Sequence, residues 1–264
     1  IAEDILATQA DTAVVVGTVS DYLTAKGDAK LYNINLPAGV YLQAQLTTPA
    51  NADLDYDLYL LDAEGNILTG SDYYTYINGT AGTLPEALGY ITSGDTATYY
   101  LYVLASEGGS VSESFTLDYS VSTACDSYEI DESVRQALAF TYGAGGAYIE
   151  SRNLSSPIDN DWYVITVPSS RIYDKLKISA TTASTNTCSV EVYQNVASEG
   201  YQMKRVGSGN TISVSSGKYY IRVSNAKTME NFDDLDIQNY KLSITPILKA
   251  TGIVITAVSY THLR

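Results

Sequence analysis

The chain repeats itself. Asp28, Tyr32, Ile34, Leu36 and Pro37 recur as Asp159, Tyr163, Ile165, Val167 and Pro168, at a constant offset of 131 residues. Further on, Tyr99-Tyr100-Leu101-Tyr102-Val103 recurs as Tyr219-Tyr220-Ile221-Arg222-Val223, and Phe115 and Leu117 recur as Tyr240 and Leu242, at offsets of 120 and 125. Loops of unequal length produce such a drift. A duplicated sequence must fold as two copies of one structural plan, and this excludes most single-domain architectures.

The repeated unit is β. In GDAKLYNINLPAG, Leu31, Asn33 and Asn35 alternate with Tyr32, Ile34 and Leu36, the period of a strand with one buried face, and Pro37 and Gly39 end it. VYLQAQLTT alternates in the same way. LDYDLYLLDAEGN puts Leu54, Tyr56, Leu58 and Leu60 on one face and Asp53, Asp55 and Asp57 on the other, before turn residues. TYYLYVLAS and SFTLDYSVS complete the first copy; DWYVITVP, KLKISATT, CSVEVYQNV, NTISVSS, GKYYIRVSN and NYKLSITPI make the second. At this spacing each copy is expected to be a small sandwich. Residues 1–16 read as an acidic lead-in, and 21–27 and 70–85 as loops. Helical spacing appears only in ESVRQALAF, with Val134, Leu138 and Phe140 on one stripe and Asp131 as the N-cap.

Length and composition bound the rest. The 264 residues suit two domains of roughly 100–150 each. Tyr is abundant, 24 against three Phe and one Trp, and favours strands. The formal net charge of −15 repels phosphate backbones and anionic lipid, which excludes nucleic acid as a partner, and it attracts divalent cations. No apolar run approaches about 18 residues, so no membrane insertion is expected. His262 is the only histidine and there is no CxxC, so zinc sites and Ser or Cys nucleophiles lack partners. No catalytic residues are expected. A carboxylate pair that hydrolyses glycosides is the alternative of a different class. Cys125 and Cys188 either pair or remain two buried thiols.

The stretch from Asp126 to Pro168 organises the chain. It opens on the acidic connector DSYEIDES and closes on SPIDNDWYVITVP, and the two acidic clusters read as halves of one site. Asp53, Asp55, Asp57 and Asp62 form either a second cation site or the wet face of a strand. Tyr73, Tyr74 and Tyr76, in a Gly/Thr loop, form a candidate ligand-binding surface for a sugar or peptide, or else cover their own sheet. Tyr219 and Tyr220 face opposite sides of their strand, so at most one is expected to point outward.

YEIDES, DNDWYVITVP, GKYYIRV and NYKLSI, in that order, resemble the bacterial pre-peptidase C-terminal domain, a family close to the collagen-binding domains of clostridial collagenases. The resemblance covers residues 126–247 well and 17–121 more loosely, through GDAKLYNINLPAG, DLYLLDAEGN, YYLYV and FTLDYSV. It implies an all-β fold of two jelly-roll-like β-sandwich modules in tandem, 1–122 and 123–247. It implies a non-catalytic accessory role in a secreted or cell-surface bacterial protein, with an extracellular polymer, matrix protein or glycan as partner. It also implies calcium bound through the connector, by Glu129, Asp131 and Glu132 with Asp161 and Asp159 from the strand side. Where the relatives carry an acid two residues before Glu129, this chain has Ser127. Five carboxylates gathered by folding repel one another, and a hard cation turns that repulsion into a clamp; the alternative is a solvated acidic linker. In the first copy Lys30 stands at the position of Asp161, so that copy is expected to bind no calcium or to bind it much more weakly. An adhesin that grips host protein or glycan through exposed Tyr is the second reading. Residues 248–264 read as the stub of a further domain: PILKATGIVITA resembles the opening of a bacterial Ig-like group 2 domain, and VSYTHLR a translated sequencing-adapter tail. With no basic, apolar leader, the chain reads as an internal piece of a longer protein.

Overall fold

The computed structural model describes residues 3–4, 14–72, 76–77, 80–81, 84–182, 188–196, 202–232 and 237–249. Among them the only helical segment is a 3-10 turn, Met229–Asn231. The first half carries β1 (Glu3–Asp4), β2 (Val14–Asp21), β3 (Ala29–Leu36), β4 (Tyr41–Thr47), β5 (Asp55–Leu61) and β6 (Ile67–Ser71). A short hairpin follows, β7 (Tyr76–Ile77) and β8 (Thr80–Ala81), then β9 (Glu86–Ile91), β10 (Ala97–Glu107) and β11 (Phe115–Ser122). The second half carries β12 (Leu138–Ala139), β13 (Ala147–Leu154), β14 (Asn160–Val167), β15 (Tyr173–Thr182) and β16 (Ser189–Asn195). It ends with β17 (Met203–Ser208), β18 (Thr211–Ser213), β19 (Gly217–Ser224) and β20 (Gln238–Leu248).

The two halves share one topology. The first stacks a sheet of order β1-β3-β10-β5-β6 on one of order β2-β11-β4-β9; the second stacks β12-β14-β19-β16-β17 on β13-β20-β15-β18. In each, the first and last long strands pair in one sheet while their chain neighbours pair in the other, which is the jelly-roll winding. The register repeats residue by residue. Tyr99 stands opposite Ile34 and Tyr219 opposite Ile165; Phe115 stands opposite Asp21 and Tyr240 opposite Arg152.

Alternation drives the packing. Tyr32, Ile34 and Leu36 of β3 meet Leu42, Ala44 and Leu46 of β4 in one core, and Tyr163, Ile165 and Val167 meet Leu176 and Ile178 in the other. Each such Leu, Ile or Val side chain contributes about 1.5–3 kcal/mol when fully buried. A third cluster joins the halves: Leu84 from the first packs with Val134 of the connector and Trp162, Tyr193, Met203 and Tyr220 of the second.

Several expectations need correction. ESVRQALAF is not a helix. Ser133 to Gln136 is a turn, and Leu138–Ala139 pairs in parallel with Tyr163 and Val164. Val134 serves the cluster between the halves while Phe140 serves the second core, so the apparent stripe is divided between two cores. Asp131 caps nothing helical; it ion-pairs with Arg152. Part of the lead-in and part of the 70–85 loop are strand. Tyr219 and Tyr220 do face opposite sides, as expected, and neither points into solvent: Tyr219 lies in the sandwich core and Tyr220 in the third cluster, which covers the outer face of their sheet.

Candidate metal centre

The connector after β11 runs against the outer face of β4. Leu42, Ala44 and Leu46 point into the first core, so Tyr41, Gln43 and Gln45 point the other way, yet Tyr41 and Gln43 are only 1% exposed. The connector's acids cover them. The Tyr41 hydroxyl sits between Glu129 Oε2, at 2.9 Å, and Glu132 Oε1, with one proton to offer the two. Gln43 Nε2 donates to Glu132 Oε1 at 2.6 Å. Gly89, paired with Gln43 across the sheet, makes this approach feasible. A Cβ there would fall 2.6 Å from Tyr41 Oη and 2.8 Å from both Glu132 Cγ and Ile130 Cγ2.

The strand side closes the site. Asp159 Oδ2 accepts from the backbone N–H of Ser155 and from Ser155 Oγ at 2.9 Å. The first copy holds the same turn 131 residues earlier, where Asp28 Oδ2 accepts from the N–H of Thr24 at 2.9 Å. Asn160 donates its N–H to Glu132 Oε2 at 3.1 Å. Asp161, fully buried, accepts from Tyr240 Oη at Oδ2.

The cation of the site went unread in the sequence. Arg152, fully buried on β13, donates from Nη1 to Asp126 Oδ1 at 2.6 Å and from Nη2 to Asp131 Oδ2; Asp161 Oδ1 lies 2.8 Å from Nη2. Its Nε donates to Tyr163 Oη at 2.7 Å, and Tyr163 and Tyr240 hydroxyls lie 2.6 Å apart. Burial opposes the guanidinium's charge, but Asp161 and Asp131 outweigh it and hold the group protonated. The first copy carries the mirror image. Lys30 pairs with Asp21 at 2.7 Å, and Tyr32 Oη donates to the same Asp21 oxygen at 3.2 Å. Asp21, Lys30 and Tyr32 precede Arg152, Asp161 and Tyr163 by 131 residues each, so the pair is conserved in place with its charges exchanged.

The connector acids are therefore not solvated. Asp131, Glu132, Asp159 and Asp161 are each at most 1% exposed. Ligand oxygens of Glu129, Asp131 and Asp161 lie within 4.8 Å of one another, as do those of Glu129, Glu132 and Asp159, and either group could hold a metal ion. Arg152 ion-pairs with two members of the first, Asp131 and Asp161. In the second, the charge of Arg152 acts on Glu129, while Glu132 and Asp159 form no ion pair among the described residues. Buried oxygens remain without a hydrogen bond: Glu129 Oε1, Asp131 Oδ1, Asp159 Oδ1 and Asp161 Oδ1, the last held only by its ion pair. Burial, then neighbouring carboxylates, pushes Asp131, Glu132 and Asp161 well above the usual range and Asp159 up to about 8.

The other candidates fall differently. Asp53, Asp55, Asp57 and Asp62 do not gather. Asp62 is occupied by a turn, accepting from the N–H groups of Glu64 and Asn66, and Asp57 is buried rather than wet. Tyr73 and Tyr74 lie outside the described residues, as does the side chain of Tyr76, whose backbone forms β7. Cys125 and Cys188 are free thiols, and burial pushes Cys188 up to about 12. Residues 250–264, including His262, lie outside the described residues.

No family model matches the sequence, and no curated protein matches it. Among solved structures, the chain is similar to the pre-peptidase C-terminal domain of collagenase from Bacillus anthracis, at 14% identity and TM-score 0.28, covering 46% of this chain and 93% of that one. It is similar to PliG, a periplasmic lysozyme inhibitor from Aeromonas hydrophila, at 9% identity and TM-score 0.29, covering 45% and 96%. It is also similar to tandem CBM51 modules of a family 98 glycoside hydrolase from Streptococcus pneumoniae, at 9% identity and TM-score 0.25, covering 85% and 83%. Likenesses of this size carry no argument about function.

Proposed function

We propose that this chain is a non-catalytic binding and spacer piece of an exported bacterial protein, built from two domains, 1–122 and 123–247, followed by a stub. Calcium binds between the connector and the second domain and stiffens the junction. The observation that carries this reading is the set of buried carboxylate oxygens without hydrogen bonds, on Glu129, Asp131 and Asp159. Leaving such groups bare is costly. Calcium takes six to eight oxygens at about 2.3–2.6 Å, so ligands on opposite sides stand roughly 5 Å apart, which suits groups whose oxygens lie within 4.8 Å.

Glu129, Glu132 and Asp159 form the core of the proposed site, because Arg152 already serves Asp131 and Asp161. Those two complete the acidic wall. A narrow crevice between the sandwiches, lined by Gln45, Pro85, Asn160, Trp162 and Arg222, reaches Glu132. The first copy has no counterpart, since Lys30 and Asp21 satisfy each other.

A cluster sealed this deeply cannot meet a polymer substrate, which argues against glycoside hydrolysis by these acids. The reading gives the chain a positioning role, with calcium fixing how one sandwich follows the other beside a polymer, matrix protein or glycan. Calcium titrated into the full chain by calorimetry is expected to bind at one ion per chain. Asp159→Asn is expected to weaken it at least about tenfold, or about 1.4 kcal/mol. No saturable binding by the unaltered chain would contradict the reading.

A further inference from the structure

We infer that the first sandwich completes the ion site, with the side-chain amide of Gln43 supplying an oxygen ligand, so that the two copies hold the cation jointly. The inference rests on the calcium reading above and adds a ligand from a part of the chain that the acidic motifs do not contain.

The amide of Gln43 is half satisfied. The residue is 1% exposed; Nε2 donates to Glu132 Oε1 at 2.6 Å, while Oε1 has no partner. Buried amides ordinarily use both ends. Glu132 also accepts from the N–H of Asn160, next to Asp159, at 3.1 Å. Gln43 thus touches an acid of the group Glu129, Glu132 and Asp159, whose ligand oxygens lie within 4.8 Å of one another. Amide oxygens are hard ligands that calcium takes alongside carboxylates. A half-turn of the terminal torsion exchanges Oε1 and Nε2, so the edge that now donates to Glu132 can turn an oxygen to an ion.

The surrounding strand fits the role. Tyr41, Gln43 and Gln45 lie on the outer face of β4 and all engage the far side: Tyr41 meets Glu129 and Glu132, Gln43 meets Glu132, and Gln45 Oε1 accepts from Asn160 Nδ2 at 3.3 Å. Gly89 opposite Gln43 removes the side chain that would hold the connector away. An ion bound here ties β4 of the first sandwich to the connector and to the turn before β14.

The test is calorimetric titration of CaCl2 into the full chain, unaltered and carrying Gln43→Met or Gln43→Glu. Methionine keeps the bulk and removes the oxygen, and is expected to weaken binding at least about tenfold. Glutamate removes the donor to Glu132 but keeps an oxygen, and is expected to hold affinity within about threefold or to tighten it. An amide that merely positions Glu132 would be lost equally in both variants. The inference is overturned if Gln43→Met binds within about twofold of the unaltered chain, or if Gln43→Glu is as weak as Gln43→Met. Should Gln43→Met fail to fold, the Gln43→Glu affinity decides alone. An unaltered chain that binds no calcium overturns the calcium reading together with this inference, whereas binding indifferent to Gln43 overturns only the inference.

Discussion

Asp57 sits in β5 at 8% exposure, 3.3 Å from the Tyr59 hydroxyl that donates to it. Burial, then the charge of Asp55, raises its pKa to about 6 from the ordinary aspartate value of 3.8. The folded chain therefore binds more protons at this residue than the unfolded chain between those values. Its contribution to stability is full below about pH 4, falls as pH rises through 6, and is gone above that. Asp57→Asn removes the titration. It is expected to gain roughly 1–2 kcal/mol over the unaltered chain at pH 8 and nothing at pH 4, read by urea unfolding at both values. An equal difference at both pH values would count against a buried, proton-hungry Asp57. The alternation that exposed this strand in the sequence placed Asp57 on its wet face, and pattern alone cannot show that neighbours cover that face. Arg152 teaches the same lesson. Lys30 was legible as the counterpart of Asp161, but only the second half of the exchange, Asp21 against Arg152, discloses a buried cation. Removing it would leave Asp131 and Asp161 buried without their partner, a loss of about 3–5 kcal/mol in comparable networks.

At the scale of elements, strands with clean alternation were legible: β3, β4, β5, β10, β11, β14 and β19 lie where the pattern put them. β2, β6, β9, β13 and β17 were not. β9 reads EALGYI, and Glu86, Ala87, Leu88 and Gly89 are all buried, because the sandwich covers one face and the connector the other. Such a strand has no polar face to alternate. β13 hides an arginine where an apolar residue is expected. That the connector's acids and the strand-side pair would gather was legible, and the structure brings all five carboxylates together. Its partners Tyr41 and Gln43 were not, since nothing local distinguishes a covered outer face from a wet one. Gly89→Ala tests that packing. The new Cβ meets Tyr41, Glu132 and Ile130 side chains under 3 Å, and overpacking of this kind costs about 1–3 kcal/mol. Gly143→Ala is the control, with no atom within 4 Å of its Cβ, and is expected to stay within about 0.5 kcal/mol. Urea unfolding of the two variants compares them; equal stability would mean the connector does not lie where Gly89 admits it.

At the scale of the whole chain, two sandwiches of one topology meet through a small apolar cluster and a sealed acidic centre. The apolar contact costs nothing to keep closed. The acidic centre does, because its carboxylates must be protonated or neutralised, and an ion that binds only the assembled junction stabilises it by mass action. The most direct measurement is the thermal unfolding of the full chain in chelator and in calcium at about 100 times its dissociation constant, where linkage gives about 2.7 kcal/mol. The account predicts a rise of several degrees with calcium, with both sandwiches melting in one transition. Superimposable melting curves in calcium and in chelator would contradict it.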